Sequence, residues 1–360
     1  MKVLITGACA VSARSVLRSL KKSPIFKDCE FVGWDMCSLL YGVYEGLFDK
    51  MYKVPAVSDP AYADVAKQII EKEMPDAAII VPEVEVLYWS ENRPFDIPYI
   101  VPPPKFSRLV ISKERLFSAL EGTGLVPQSR TVSVEEICSD DFNNEFGYPV
   151  WIRDGAAGTA SAKGAFKATN VNELRAWTEI NTGIKQFQLS EFLPGGNYGC
   201  FCLFKNGKLV KMAQAQRIEY IMAKVAVSGI TGNTSKGKLL NRDDIKRTAL
   251  DAIDILCKKT GEEMNGLVVV DMKGDENDKP MITEINIRHV AFSSSFANAG
   301  FNISEYQLLL ALNRDDEISS EVEKVYPQNN AILRDVDGLP IYVEDVKNLV
   351  VGECYSIEKN

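Results

Sequence analysis

Apolar residues follow different spacings in different parts of this chain, and the changes of spacing mark its elements. Val3-Leu4-Ile5-Thr6 is a short apolar run closed by Gly7, and the Ala13, Val16, Leu17 and Leu20 that come after fall on one helical face. The pattern predicts a buried first strand, a tight turn and a packed helix. Met1-Lys2 ahead of V-L-I-T-G-A-C-A-V also imitates a short secretory leader, a reading that the strand and helix pattern outweighs. Further on, Glu30 to Asp35 reads as a strand, Asp64 to Lys72 as a helix ending near Met74-Pro75, and Ala77 to Pro82 as a strand. Alternating strands and helices predict an α/β unit, a parallel sheet flanked by helices. Pro94, Pro98 and Pro102-Pro103-Pro104 then interrupt regular structure, and the first boundary is placed at 105.

Beyond it the order changes. Lys113 to Glu121 predicts a helix stopped at Gly122 and Gly124, followed by extended V-P-Q-S-R-T-V. Tyr148 to Thr169 reads as strand P-V-W-I-R, a loop D-G-A-A-G-T-A-S-A-K-G of mostly small residues, and strand A-F-K-A-T. Such a loop lets peptide N–H groups come close to a ligand. A helix over Val171 to Ile180 comes next, then strands near Phe187 to Glu191, Tyr198 to Phe204 and Lys208 to Gln214, a helix from Asp243 to Lys259, and strands G-L-V-V-V-D-M and P-M-I-T-E-I-N.

The chain's 360 residues, 46% hydrophobic, suffice for two or three domains. Lys plus Arg number 41 against 49 Asp plus Glu, a formal charge of −8, so no general attraction to nucleic acid or anionic lipid is expected and any polyanion site must be local. No apolar run approaches the roughly 20 residues of a membrane-spanning helix. Eight cysteines without a C-x-x-C pair favour reduced thiols and a cytoplasmic setting. The single histidine, His289, excludes a His-rich metal cage and H-E-x-x-H.

Four segments carry candidate chemistry. Gly7-Ala8-Cys9-Ala10 lacks G-x-G-x-x-G and reads as a turn. Gly232 to Lys238 matches a phosphate-binding loop except at Leu239, where the magnesium-binding hydroxyl belongs, and reads as a mobile Gly-rich loop carrying Lys236 and Lys238. Strand alternation puts Glu284 and Asn286 on one face, and antiparallel pairing across K-G-D-E-N-D-K brings Asp271 opposite Glu284 or nearby. These residues form either a hard-cation site or a solvated hairpin edge. Arg153, beside the small-residue loop, is either a ligand cation or half of a surface ion pair.

Taken in order, Ser112-Lys113-Glu114-Arg115-Leu116, P-V-W-I-R with its loop, Q-L-S-E-F-L-P-G-G-N and E-I-N-I-R resemble the motifs of the ATP-grasp superfamily, in its carbamoyl-phosphate-synthase-like branch, over roughly residues 1 to 315. The resemblance implies a Rossmann-like pre-ATP-grasp domain over 1–105, a two-lobed α+β ATP-grasp domain with a small lobe over 106–185 and a large lobe over 186–320, and an extension over 321–360 packing back on the large lobe. It further implies ATP and Mg2+, with Mn2+ as a substitute. Lys113 and Arg153 would meet phosphate oxygens, under a loop that includes Gly158 and Ser161. Glu191 and Leu193 would hold the adenine edge through their backbone, with Phe192 between them, and Asn197 stands where relatives often carry a Glu that meets ribose or metal. Asp271, Glu284 and Asn286 would hold metal, and Arg288 would face the acceptor carboxylate or its acyl phosphate. The activity so implied joins a small-molecule carboxylate to an amine, without nucleic acid or membrane partners and with a homodimer as the default assembly. Asn197, and Asp154 where relatives have Pro, also leave room for a nucleotide-binding module without catalysis; a single half of a split carbamoyl-phosphate synthetase is the third reading.

Overall fold

The computed structural model describes residues 1–37, 42, 45–155, 164–225, 229, 231–335 and 350–356. The first part of the chain runs β1 (Lys2–Thr6), α1 (Val11–Lys21), β2 (Glu30–Asp35), β3 (Lys50–Lys53), α2 (Tyr62–Glu73), β4 (Ala77–Ile79) and α3 (Glu83–Asn92). Next come α4 (Pro104–Val110), α5 (Lys113–Leu120), β5 (Ser129–Ser133), α6 (Val134–Cys138), β6 (Val150–Asp154), β7 (Phe166–Ala168), α7 (Val171–Ile180) and β8 (Gln186–Glu191). The remainder is β9 (Asn197–Lys205), β10 (Lys208–Tyr220), β11 (Thr234–Leu240), α8 (Asp243–Thr260), β12 (Gly266–Gly274), β13 (Pro280–Asn286), α9 (Ser293–Asn298), α10 (Ile303–Ala311), β14 (Ile332–Leu333) and β15 (Cys354–Ser356).

Three sheets result. In the first, β3, β2, β1 and β4 lie parallel in that order, as a run of strands apolar on both faces requires. Gly7 makes the turn out of β1 at φ +67°, and a Cβ there would stand 2.6 Å from the Pro82 ring. The second sheet, β5-β8-β6-β7, and the third, β13-β12-β9-β10-β11-β14, are antiparallel. Beyond residue 320 the chain serves two sheets: Ile332–Leu333 pairs with β11, and Cys354–Ser356 adds an antiparallel edge to β3.

The cores explain how the sheets are joined. One cluster runs from Leu4, Val32 and Trp34 through Leu116 and Phe117 to Cys200, Val268, Val270 and Ile285, so the first and third sheets share an interior. On the opposite side, α10 splits its apolar residues: Leu308 and Leu309 pack with Val3 and Ile5, while Leu310 joins Phe201, Val269 and Phe296. The second sheet keeps a separate cluster of Val132, Ile152, Leu174, Phe187 and Leu189. All eight cysteines are thiols.

The Gly232 to Lys238 segment departs from expectation, because Lys236 and Lys238 lie on strand β11 and not in a loop. Gly237 sits in that strand because a Cβ would come 2.7 Å from the Gln216 carbonyl oxygen, so glycine here marks close strand approach. Among the described residues no helix is long and apolar enough to cross a membrane.

Candidate functional site

A cleft of about 360 Å³ opens where the second sheet faces the third, beside the N-termini of α1 and α5. Its walls include Lys113, Arg153, Glu191, Phe192, Leu193, Asn197, Asp271, Glu284, Asn286 and Arg288. The described residues to which the resemblance gives a nucleotide, metal or acceptor role thus line one cavity, whereas Asp154, Lys236, Lys238 and His289 do not. Gly158 and Ser161 lie outside the described residues.

Local structure sets each side chain. Lys113 is the first residue of α5, whose Ser112 cap accepts a hydrogen bond from the Arg115 N–H. Arg153 stands on β6, where Nε donates to Gln188 Oε1 (2.8 Å), Nη1 donates to the Thr283 carbonyl (3.3 Å), and the guanidinium lies 5.3 Å from the Phe117 ring centre. The hinge after β8 is fixed by reciprocal bonds, Glu191 N–H to the Gln128 carbonyl and Gln128 N–H to Glu191 Oε2, both 3.1 Å. Lys167 Nζ lies 4.3 Å over the Phe192 ring.

On β12 and β13 the period of two decides the rest. Val268, Val270 and Ile285 face the shared core, while Asp271 pairs in register with Glu284 on the cleft side and Val269 with Asn286. The carboxylates therefore face each other across the hairpin. Asn286 Nδ2 donates to Asp271 Oδ2 at 3.3 Å, Lys113 Nζ approaches Glu284 at 3.9 Å, and Arg217 Nη2 holds Asp271 Oδ1 at 2.5 Å. Arg288 Nε lies 3.7 Å from Glu83, and its Nη1 donates to the His289 carbonyl.

Among the described lining residues, five are basic (Lys113, Arg153, Arg217, Lys273, Arg288) and three acidic (Glu191, Asp271, Glu284). A chain of net charge −8 has thus collected a cationic cavity, suited to a small polyanion. Burial pushes Arg153 down to about 10, against the pull of Glu284, which leaves it charged at neutral pH. Burial also raises the Asp271 and Glu83 carboxyls, opposed by Arg217 and Arg288 respectively. His289 is buried, its Nδ1 2.9 Å from Ser293 Oγ, and desolvation pushes it down to about 4, so it is a neutral structural imidazole.

The acidic face of the cleft offers few protein oxygens to a divalent cation. No group of three or more His, Cys, Asp or Glu able to hold a metal occurs among the described residues; a third oxygen would have to come from the Asn286 amide, on the strand beside Glu284. Two facing carboxylates and an amide suit a hard cation that takes its remaining ligands from phosphate and water.

Sequence reasoning missed Arg217, Lys273 and Glu83. Arg217 was within reach: extending the β10 strand beyond Gln214 with period two puts it on the same face as Ala213 and Ala215. Lys273 Nζ is bonded to the Gly195 carbonyl at 2.7 Å and braces the hinge turn. No local pattern announces Glu83, which meets Arg288 only through the fold.

No protein-family model matches the sequence, and no curated protein does. Solved structures do. An L-amino acid ligase from Bacillus licheniformis superposes with a TM-score of 0.61 at 12% identity, over 89% of this chain and 77% of its own. A D-alanine–D-alanine ligase from Bacillus anthracis gives 0.56 at 12% identity, over 88% and 99%. Biotin carboxylase from Campylobacter jejuni, in a complex with an ATP ligand, gives 0.58 at 15% identity, over 92% and 73%. These neighbours are ATP-grasp proteins, and at such identities the likeness is one of fold: this chain has the ATP-grasp architecture.

Proposed function

We propose that the protein is an ATP- and Mg2+-dependent ligase that joins a small-molecule carboxylate to an amine through an acyl phosphate, releasing ADP and phosphate. The observation that carries this reading is the convergence of Lys113, Arg153 and Arg288 with the facing Asp271 and Glu284 in one cleft, beside the 191–193 hinge. Similarity of fold to two ligases supports it.

The chemistry follows from charge. An acceptor carboxylate and a γ-phosphoryl group repel each other, so transfer needs cations around the moving oxygens and little water. Lys113 and Arg153 would bind phosphate oxygens, and Arg153 offers a planar fork for them. The backbone of Glu191 and Leu193 would hold the adenine edge over Phe192, with Asn197 toward the ribose. Asp271, Glu284 and Asn286 would hold Mg2+, which when bound screens the phosphate charge. A carboxylate oxygen, oriented by Arg288, attacks the γ-phosphorus and ADP leaves; the amine then attacks the acyl carbon, phosphate departs and the amine gives up a proton. No side-chain nucleophile takes part.

The test is calorimetric titration with Mg·ATP, then ADP release across a panel of carboxylates and amines. Binding together with acceptor-stimulated ADP release is expected, and absence of ATP binding by folded protein rejects the reading. ATP binding without stimulation by any acceptor would favour a nucleotide-binding module, the reading that Asn197 in the cleft supports. Bicarbonate-stimulated ATPase activity would favour the carbamoyl-phosphate-synthase-like branch.

A further inference from the structure

Arg217 reaches Asp271 from two strands away, since β9 lies between β10 and β12. It crosses at Gly199, the register partner of Asp271 on β9. A Cβ on Gly199 would stand in ordinary contact, 3.4 Å, with both Arg217 Nη2 and Asp271 Oδ1, so the bare glycine leaves the path between them open and a branched side chain there would crowd it. Three adjacent strands thus place one guanidinium on one carboxylate oxygen, over a position that carries no side chain. The sheet does not need this pair to close: β12 is already bonded to β9 and β13 along its length. Nor does stability by itself account for the pair, because replacing a buried ion pair with apolar residues of similar volume is often neutral or stabilising.

Its effect on the cleft is specific. Asp271 and Glu284 face each other, but Arg217 holds the first and Lys113 stands 3.9 Å from the second. Two carboxylates matched by two cations offer a divalent ion little net field, whereas a triphosphate brings both negative charge and oxygen ligands.

We propose that Arg217 is a positioning residue that makes divalent-cation binding conditional on the nucleotide: by holding one oxygen of Asp271 it keeps the free cleft from retaining the ion, which is captured only when phosphate oxygens complete the site. This rests on the assignment of Asp271, Glu284 and Asn286 as cation ligands.

The test is Mn2+ binding to the full chain, followed by the paramagnetic resonance signal of free Mn2+, with and without a nonhydrolysable ATP analogue. Wild-type protein is expected to hold Mn2+ only with the analogue. Arg217→Met should bind Mn2+ alone about tenfold or more tightly than wild type, and Arg217→Lys, which keeps the charge, should restore the dependence. Equal affinity of wild type and Arg217→Met for Mn2+ alone overturns the role of Arg217, while the cation site stands if Glu284→Ala loses the ion in the presence of the analogue. Failure of wild type to bind Mn2+ even with the analogue overturns the cation assignment and this inference with it. If thermal melting shows Arg217→Met unfolded, Gly199→Val, which crowds the pair, takes its place with the same expected gain.

Discussion

Glu85 and His289 are buried titratable residues that pull stability in opposite directions. Burial raises Glu85 from 4.5 to about 7, although hydrogen bonds from Thr6, Trp34 and Tyr62 resist the rise. A carboxyl whose folded value is raised stabilises the fold fully below its unfolded value and loses that contribution as pH rises through about 7. His289, lowered from 6.5 to about 4, behaves conversely: its contribution is present above 6.5 and lost as pH falls through 4. Between pH 6.5 and 8 the Glu85 effect therefore stands apart from that of His289. Urea unfolding should show wild type losing about 1 kcal/mol over that interval, and Glu85→Gln should abolish the loss; an unchanged slope would mean Glu85 is ionised in its pocket. At Glu284 the expectation concerns chemistry. Glu284→Ala should abolish metal-dependent ATP turnover while the melting temperature stays within a few degrees of wild type, and retained turnover would remove Glu284 from the site.

Among the elements, α5 is the one whose placement matters most for the cleft, because its first residue is Lys113 and its cap is a single serine hydroxyl. Ser112→Ala should cost about 1 kcal/mol of stability and weaken ATP binding several-fold, read by chemical denaturation and calorimetry on the same variant. Loss of stability with unaltered ATP affinity would show that Lys113 needs no such anchoring. What could be read from sequence at this scale was what depends on local period and turn length. The Asp271–Glu284 pairing follows from two alternating strands joined by a short polar turn, and the first sheet from strands apolar on both faces. The Arg217–Asp271 contact was not legible, because it depends on how β10, β9 and β12 align, with Gly199 beneath the contact. Lys236 and Lys238 were misplaced for a related reason: Gly237 looks like loop chemistry in one dimension but admits the Gln216 carbonyl in three.

Taken whole, the molecule sets a cationic cleft inside a chain of net charge −8, and the two fields have different ranges. The Debye length falls from about 10 Å at 0.1 M salt to about 3 Å at 1 M, so the distant repulsion of a polyanion is screened before the close contacts are. Added salt should therefore weaken nucleotide binding through faster dissociation, without slowing association, in stopped-flow measurements with a fluorescent ATP analogue. Association that slows in step with affinity would mean that the molecule as a whole attracts the nucleotide. The second sheet keeps its own core while the first and third sheets share one, so the cleft is the place where separately built parts meet. A crystal structure with Mg2+ and a nonhydrolysable ATP analogue tests this arrangement most directly. Phosphate oxygens within hydrogen-bonding distance of Lys113 and Arg153, with the base on the 191–193 hinge, are the predicted result; a nucleotide bound elsewhere, with Arg153 and Glu284 both out of its reach, would contradict the account.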